Sequence, residues 1–274
     1  MKKILSIIMA LAMLVSITAM FASCGSNEEA STGAETNADG TEKETFVIGI
    51  TYFEPMNYFN DNNELVGFET EFAKAVCAKL GLEPKFQEID WKVKETELNS
   101  GAIDCIWNGM TIDDDRKANM GISDPYMENK QVLVVKKDNL EKFSDPANLA
   151  DAYIVAEEGS AGETVATENS YFADSNFTAV ATQANALMEV KSGTADAAIV
   201  DFVLSIGSIG EGTDYSDFVV VDAYDFNPEE YGIAFRKGDT ETREKFQKAI
   251  DELMADGTID KIAEKYKLKD LLIK

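Results

Sequence analysis

There is no histidine in these 274 residues, so every catalytic scheme that needs an imidazole is excluded and the commonest metal ligand is missing. Arginine is almost as scarce, with Arg116, Arg236 and Arg243 the full set. Cysteine occurs only at positions 24, 77 and 105. Lys and Arg together number 25 against 50 Asp and Glu, a formal net charge of −25, and such an acidic chain is excluded as a nucleic-acid binder. Long apolar runs are also missing, apart from one at the N-terminus.

That run covers 4–22, behind Met1-Lys2-Lys3, and only Ser6, Ser16 and Thr18 interrupt it. A charged start and then an apolar stretch is the pattern of an export leader. Length alone barely separates it from a membrane span of about 20 residues; the residues at its C-terminal end decide. Phe21-Ala22-Ser23-Cys24-Gly25 places small residues before a cysteine, similar to a bacterial lipobox in which the cysteine is acylated and becomes the mature N-terminus. Phe21 stands where leucine is usual. The segment 25–45 is rich in Ser, Thr, Asn, Gly and Glu with almost no apolar residues, a composition that cannot build a core and suits a tether. The expectation is a leader over 1–23, lipidated Cys24, a flexible acidic tether over 24–45, and an extracytoplasmic protein held to the outer face of the plasma membrane or in the periplasm. Export permits Cys77 and Cys105 to pair, and unpaired core cysteines are the plainer reading.

From residue 46 onward, short β-rich runs alternate with amphipathic segments, which predicts an α/β fold with helices covering a mostly parallel sheet. Strands are expected at 46–50, 84–88, 103–107, 132–135, 153–156, 197–200, 218–221 and 232–236. Helices are expected at 69–80, stopped by Gly81, and at 240–255 and 259–266 with Gly257 between them. One pattern occurs twice: Leu98-Asn99-Ser100-Gly101-Ala102-Ile103-Asp104 and Val190-Lys191-Ser192-Gly193-Thr194-Ala195-Asp196 each lead into a buried run. Ligands gather at the carboxyl ends of such strands, which makes 108–111 and 200–201 candidate site residues.

The ordered motifs Gly67-Phe68-Glu69, Gly109-Met110-Thr111-Ile112 with Arg116, Ser123-Asp124-Pro125-Tyr126, Gly159-Ser160-Ala161-Gly162, Tyr231-Gly232-Ile233-Ala234 and Ala255-Asp256-Gly257-Thr258 resemble the extracellular solute-binding proteins, family 3. The resemblance runs from about Phe46 to the C-terminus. It implies a two-lobed, type II periplasmic-binding-protein-like fold, with lobe 1 from 46–129 plus 231–274 and lobe 2 from 130–230. It also implies capture of a free polar L-amino acid for an ABC transporter permease by a monomer, without cofactor, metal or catalysis.

An α-amino acid carries a carboxylate and an ammonium on one carbon. Arg116 offers a planar fork for the carboxylate, with Thr111 one short turn upstream, while the loop carrying Ser160 and Ala161 presents free N–H groups where a helix opens toward Glu163. Asp201, with the Gly109 carbonyl and the Thr111 hydroxyl, is placed to take the ammonium. Duller roles stand beside these: Arg116 pairing with the Asp113-Asp114-Asp115 run, or Asp201 as a helix N-cap. That acidic run lacks the spacing and glycine of a calcium loop.

The sequence departs from the family where the ligand's side chain is read, in Thr51-Tyr52-Phe53-Glu54-Pro55-Met56. Glu54 occupies an aromatic position. Tyr52, Phe53, Tyr58 and Trp91 are candidate walls, and Lys94 is a candidate second charge in the pocket. An enzyme of the cyclohexadienyl dehydratase kind on the same fold is the alternative, with Glu54 its suspect residue.

Overall fold

The computed structural model describes residues 43–273, so the leader, Cys24 and nearly all of the tether lie outside the described residues. The chain opens with β1 (Glu44–Ile50), the small hairpin of β2 (Tyr58–Phe59) and β3 (Leu65–Val66), and α1 (Phe68–Leu80). Then come β4 (Leu82–Glu88), α2 (Lys94–Ser100), β5 (Cys105–Thr111), α3 (Asp114–Asn119) and β6 (Met120–Ile122). A long strand, β7 (Met127–Lys136), leads to α4 (Leu140–Phe143), β8 (Tyr153–Glu157), α5 (Ala161–Glu168), β9 (Asn176–Val180), α6 (Gln183–Ser192), β10 (Ala197–Asp201), α7 (Phe202–Ser208) and β11 (Phe218–Val220). The second long strand, β12 (Pro228–Arg236), returns the chain to α8 (Thr240–Ala255) and α9 (Thr258–Lys265).

The main sheet runs β4-β1-β5-β12-β7-β10-β8-β9. It is mixed: β4, β1 and β5 are parallel to one another, as are β10, β8 and β9, and the two long strands join antiparallel between these sets. This is the expected α/β class. The switch of partner within β7 is sharp: residues Met127–Lys130 pair with β12, and Gln131–Val135 pair with β10.

Period-two alternation along the strands feeds layers on both faces of the sheet. Val132 and Val134 join the large apolar cluster of Phe46, Phe72, Trp107, Val200 and Phe246. Leu133 and Val135 point the other way, toward Phe143, Ile154, Phe172 and Phe226. The remaining face, over β5, is filled by Ile89, Trp91, Leu98, Ile106 and Met110.

The duplicated sequence pattern has a physical basis. Gly101 and Gly193 both end helices in the left-handed region, at φ 80° and 85°, where a side chain is penalised. Three residues later, Asp104 accepts the Val47 N–H at 2.8 Å and Asp196 accepts the Tyr153 N–H at 2.9 Å. Each aspartate thereby ties the start of its own strand to a parallel neighbour. This also corrects the expected strand at 103–107: Asp104 bridges strands by its side chain, and β5 starts only at Cys105 and continues to Thr111. The polar Asn108 reads as a strand end but is buried inside one, donating to the Thr51 carbonyl at 2.8 Å and to Asn57 Oδ1 at 2.9 Å. Edge strand β9, with partly exposed polar residues, has no clear apolar pattern and is not among the expected strands. Cys77 and Cys105 are both buried free thiols.

Candidate functional site

The C-terminal ends of β5, β8 and β10 converge on one small enclosed cavity. Its wall is formed by Trp91, Asn108, Gly109, Thr111 and Arg116 from the first set of elements, and by Glu157, Ser160, Ala161, Gln183 and Asp201 from the second. The enclosed space is about 10 Å³, room for roughly one water molecule. A wider depression of about 700 Å³ beside β12 is lined largely by exposed side chains such as Lys117, Glu128, Lys130 and Glu230. It lacks the converging buried charges of the small cavity.

Arg116 is held in place from several directions. The Asp113 side chain caps α3 by accepting the Arg116 N–H at 2.7 Å, and its other oxygen lies 3.2 Å from Arg116 Nε. Nη1 donates to the Thr111 carbonyl at 2.7 Å, and Nη2 reaches the Gly159 carbonyl at 3.3 Å. Pairing with Asp113 and facing the cavity are therefore not alternatives. The rigid fork meets both, and only 7% of the residue is exposed.

Asp201 ends β10 and is deeply buried. Its carboxylate accepts from Asn129 Nδ2 at 2.8 Å, from Gln131 Nε2 at 2.7 Å and from Gln183 Nε2. Burial raises its pKa, and these amide donors pull it back toward the ionised form. Asp201 occupies the N-cap position of α7 without capping it through its side chain. Asn129 does that work instead, accepting the Val203 N–H at 3.2 Å. The N-cap role considered for Asp201 is thus replaced by a role facing the cavity.

Thr111 donates its hydroxyl to Glu229 on β12 at 3.1 Å, and Glu229 also accepts from Asn129 and Gln131. Gly109 needs to be glycine, since its φ is +53° and an added Cβ would lie 3.1 Å from the Phe53 ring and 3.3 Å from the Tyr231 ring. Its N–H is held by Glu69 at 2.8 and 3.0 Å; Tyr126 donates to the same carboxyl, and burial raises that group to about 7. On the facing side, Ser160 caps α5 by accepting the Glu163 N–H at 3.1 Å, which leaves Ala161 at the first helical position beside the cavity.

Seven expected residues thus meet around one space: Arg116, Thr111, Gly109, Asp201, Ala161, Ser160 and Trp91. Three do not line it. Tyr52 is half-buried with its ring tilted against Phe59, Phe53 is buried behind Gly109, and Glu54 is exposed, with the backbone at Glu54 and Pro55 against Gly207. The loop after β1 turns Glu54 to solvent as Phe53, Pro55 and Met56 pack inward. Lys94 lies just behind the wall, donating to the carbonyls of Trp91 at 3.2 Å and Gly159 at 2.9 Å. Burial and the nearby Arg116 hold it down to about 8.

Residues 46–269 match the bacterial extracellular solute-binding proteins, family 3. The chain belongs to that family. Among its relatives, the arginine-binding extracellular protein ArtP of Bacillus subtilis (strain 168) is 31% identical over 97% of this chain and 98% of ArtP. The ABC transporter glutamine-binding protein GlnH of the same organism is 30% identical over 98% of this chain and 99% of GlnH. Among solved structures, the ancestral amino acid-binding protein AncCDT-1, a precursor of cyclohexadienyl dehydratase, is 31% identical with a TM-score of 0.72, over 81% of this chain and 95% of that one.

Sequence reasoning passes over Gln183, Asn129, Gln131, Glu229 and Glu157. A signal is present for two of them, because Asn129 and Gln131 fall on the buried phase of β7 in the pattern Met127, Asn129, Gln131. A polar pair at apolar positions of a strand needs partners.

Proposed function

We propose that this chain captures a free polar L-amino acid and presents it to an ABC importer. The observation that carries the reading is the convergence of Arg116 and Asp201, opposite charges from the two parts of the sheet, on a single enclosed space. A zwitterionic head group requires that combination: a forked cation for the carboxylate, and a buried acceptor for the ammonium. Membership of a solute-binding family and amino-acid-binding relatives on both sides of the comparison support it.

In this reading the lobes are 46–129 plus 231–274 and 130–230, with β7 and β12 as the two crossings. The partner switch at Lys130 and Gln131 supports that division. An amino acid is much larger than the enclosed space of about 10 Å³, so the lobes part to admit it and close around it by a hinge. Charged and polar contacts between them include Lys92 to Glu158 at 2.6 Å, Lys94 to the Gly159 carbonyl, and Arg116 to the same carbonyl, beside the packing of Glu54 and Pro55 against Gly207. The protein acts as a monomer outside the cytoplasm, anchored through lipidated Cys24, and among the described residues no helix is long and apolar enough to cross a membrane.

An enzyme of the dehydratase kind is the second reading. It is favoured by AncCDT-1 and by one cavity carboxyl, Glu157, which burial raises to about 8 so that it holds a proton at neutral pH. Glu54, the suspect residue in the sequence, faces solvent. A thermal-shift screen of the mature chain against the free amino acids, prephenate and arogenate tests both readings. A ligand at 1,000 times its dissociation constant stabilises by about 4 kcal/mol. An amino acid that shifts the transition supports capture; no shift with any amino acid, or turnover of prephenate or arogenate, contradicts it.

A further inference from the structure

The polar groups around the cavity are not equally satisfied. Asp201 has three amide donors, Arg116 has three partners, and Thr111 and Ser160 are each hydrogen-bonded. Glu157, the last residue of β8, differs. It is 2% exposed, it lines the cavity, and its Oε1 is buried with no hydrogen-bond partner among the described residues. A buried acceptor left unpaired is costly and marks a group that awaits a donor.

We propose that Glu157 reads the side chain of the captured amino acid and selects ligands whose side chain carries a cation bearing N–H groups, a guanidinium or an alkylammonium. The proposal rests on the reading that the cavity captures a free amino acid. Once Arg116 meets the ligand's carboxylate and Asp201 its ammonium, Glu157 is the acidic group in the cavity wall whose oxygen still lacks a hydrogen bond. An apolar side chain leaves that carboxyl unpaired, whereas a cationic one supplies both N–H donors and the opposite charge once the proton has left. The cation that acts most strongly on Glu157, Lys94, has donors committed to two backbone carbonyls and sits 4.9 Å over the Trp91 ring. Lys94 attracts Glu157 without hydrogen-bonding to it. The Trp91 indole adds a wall on which a planar guanidinium can stack.

Proton release is a consequence of the same geometry. The charged groups acting on Glu157 are Asp201 on β10, Lys94 on α2, Asp90 just before it, and Arg116 on α3. Burial, reinforced by Asp201, holds the carboxyl up to about 8 against the pull of Lys94 and Arg116. At neutral pH it therefore carries a proton, and a cationic side chain placed against it drives that proton into solvent. The carboxyl becomes a carboxylate paired with the ligand, one proton leaves, and charge is conserved. Affinity for a cationic amino acid accordingly rises as pH increases toward about 8.

The test is titration calorimetry on the mature chain with L-arginine, L-lysine, L-glutamine and L-glutamate, at pH 6 and 7 and in two buffers of different ionisation enthalpy. We expect arginine or lysine to bind at least about tenfold more tightly than glutamine, with a proton released on binding, because a desolvated charge pair is worth at least that factor. Glu157→Gln is expected to lower the ratio of arginine to glutamine affinity at least about tenfold and to abolish the proton release. Tighter wild-type binding of glutamine or glutamate overturns the inference, as does a Glu157→Gln protein that keeps both the ratio and the release. Should the variant fail to fold, the wild-type preference and proton count decide. If no free amino acid binds, the parent reading falls as well; if a neutral or acidic one binds best, only the present inference falls.

Discussion

The two ends of the cavity are built differently. At the end holding Asp201, Thr111 and Gly109, each polar group is tied down by neighbours: Asn129, Gln131 and Gln183 on Asp201, Glu229 on Thr111, Glu69 on the Gly109 N–H. At the end holding Glu157 and Trp91, the carboxyl Oε1 has no hydrogen bond, and Lys94, the cation that attracts it most, is turned to backbone carbonyls. The contrast amounts to a division of labour. A head group common to all α-amino acids can be met by a preorganised frame, whereas the side chain is met by a group whose ionisation depends on what arrives.

The largest effect expected from this contrast is at the frame. Truncating one partner of a desolvated, hydrogen-bonded charge pair costs about 2 to 5 kcal/mol, so Arg116→Ala and Asp201→Ala should each weaken amino-acid binding by at least about tenfold for every ligand tested. Arg116→Lys should fail nearly as badly, since a point charge cannot replace the fork that spans Thr111, Gly159 and Asp113. Calorimetry measures both. A loss confined to one ligand would mean that the frame also reads side chains, and the division of labour would not hold.

A smaller effect is expected from the backbone of that frame. Gly109→Ala forces a Cβ against the Phe53 and Tyr231 rings at φ +53°, and should lower stability in denaturant unfolding by about 1 to 3 kcal/mol, the usual range for overpacking. Gly101→Ala and Gly193→Ala also have positive φ, but an added Cβ meets nothing within 4 Å. They should cost less, about 1 kcal/mol for the left-handed conformation alone. Equal losses at all three positions would deny the tight packing at Gly109.

The last expected effect is a slope with pH. Glu69 and Glu157 have folded-state values raised from 4.5 to about 7 and about 8. A raised acid binds its proton more tightly when folded, so stability is lost as pH climbs through the interval between the unfolded and folded values. Each group contributes at most about 1.4 kcal/mol per pH unit. Between pH 5 and 7 the ligand-free protein should therefore lose stability from these two groups, and Glu157→Gln should flatten the decline. An unchanged slope in that variant would place the Glu157 proton elsewhere.

The frame is partly legible in the sequence and the variable end hardly at all, for physical reasons. Arg116, Thr111, Gly109, Ser160 and Ala161 sit in short local patterns, a strand end before a capped turn or a glycine loop opening a helix, and such chemistry shows in neighbouring letters. Asp201 shows through its place at the end of an apolar run. The partners of Asp201 come from Asn129, Gln131 and Gln183, which no local pattern joins; the antiparallel pairing of β7 with β10 sets Gln131 opposite Asp201, with Asn129 two residues back along the same strand. Glu54 misleads because alternation fails in a loop, where the neighbours at Phe53 and Pro55 take the inward positions. Glu157 looks like part of an acidic pair, Glu157-Glu158, of which only the second faces out, to Lys92. Of the fold, the long periodic helices 240–255 and 69–80 are found to within a residue, because their apolar faces repeat over several turns. Strand β5 is placed short because Asn108, Gly109 and Thr111 interrupt its apolar run, and the hydrogen bonds that bury Asn108 do not show in a linear reading.

In the proposed capture, the frame grips both charges of a free α-amino acid at once. Calorimetry with the best-binding amino acid, its N-acetyl form and its carboxamide tests this in one series. Each blocked form keeps the side chain that Glu157 faces, and removes one of the two charges that Arg116 and Asp201 face. Either block is expected to weaken binding by at least about tenfold, as when a desolvated charge loses its partner. Undiminished affinity for either blocked form would contradict the two-charge grip.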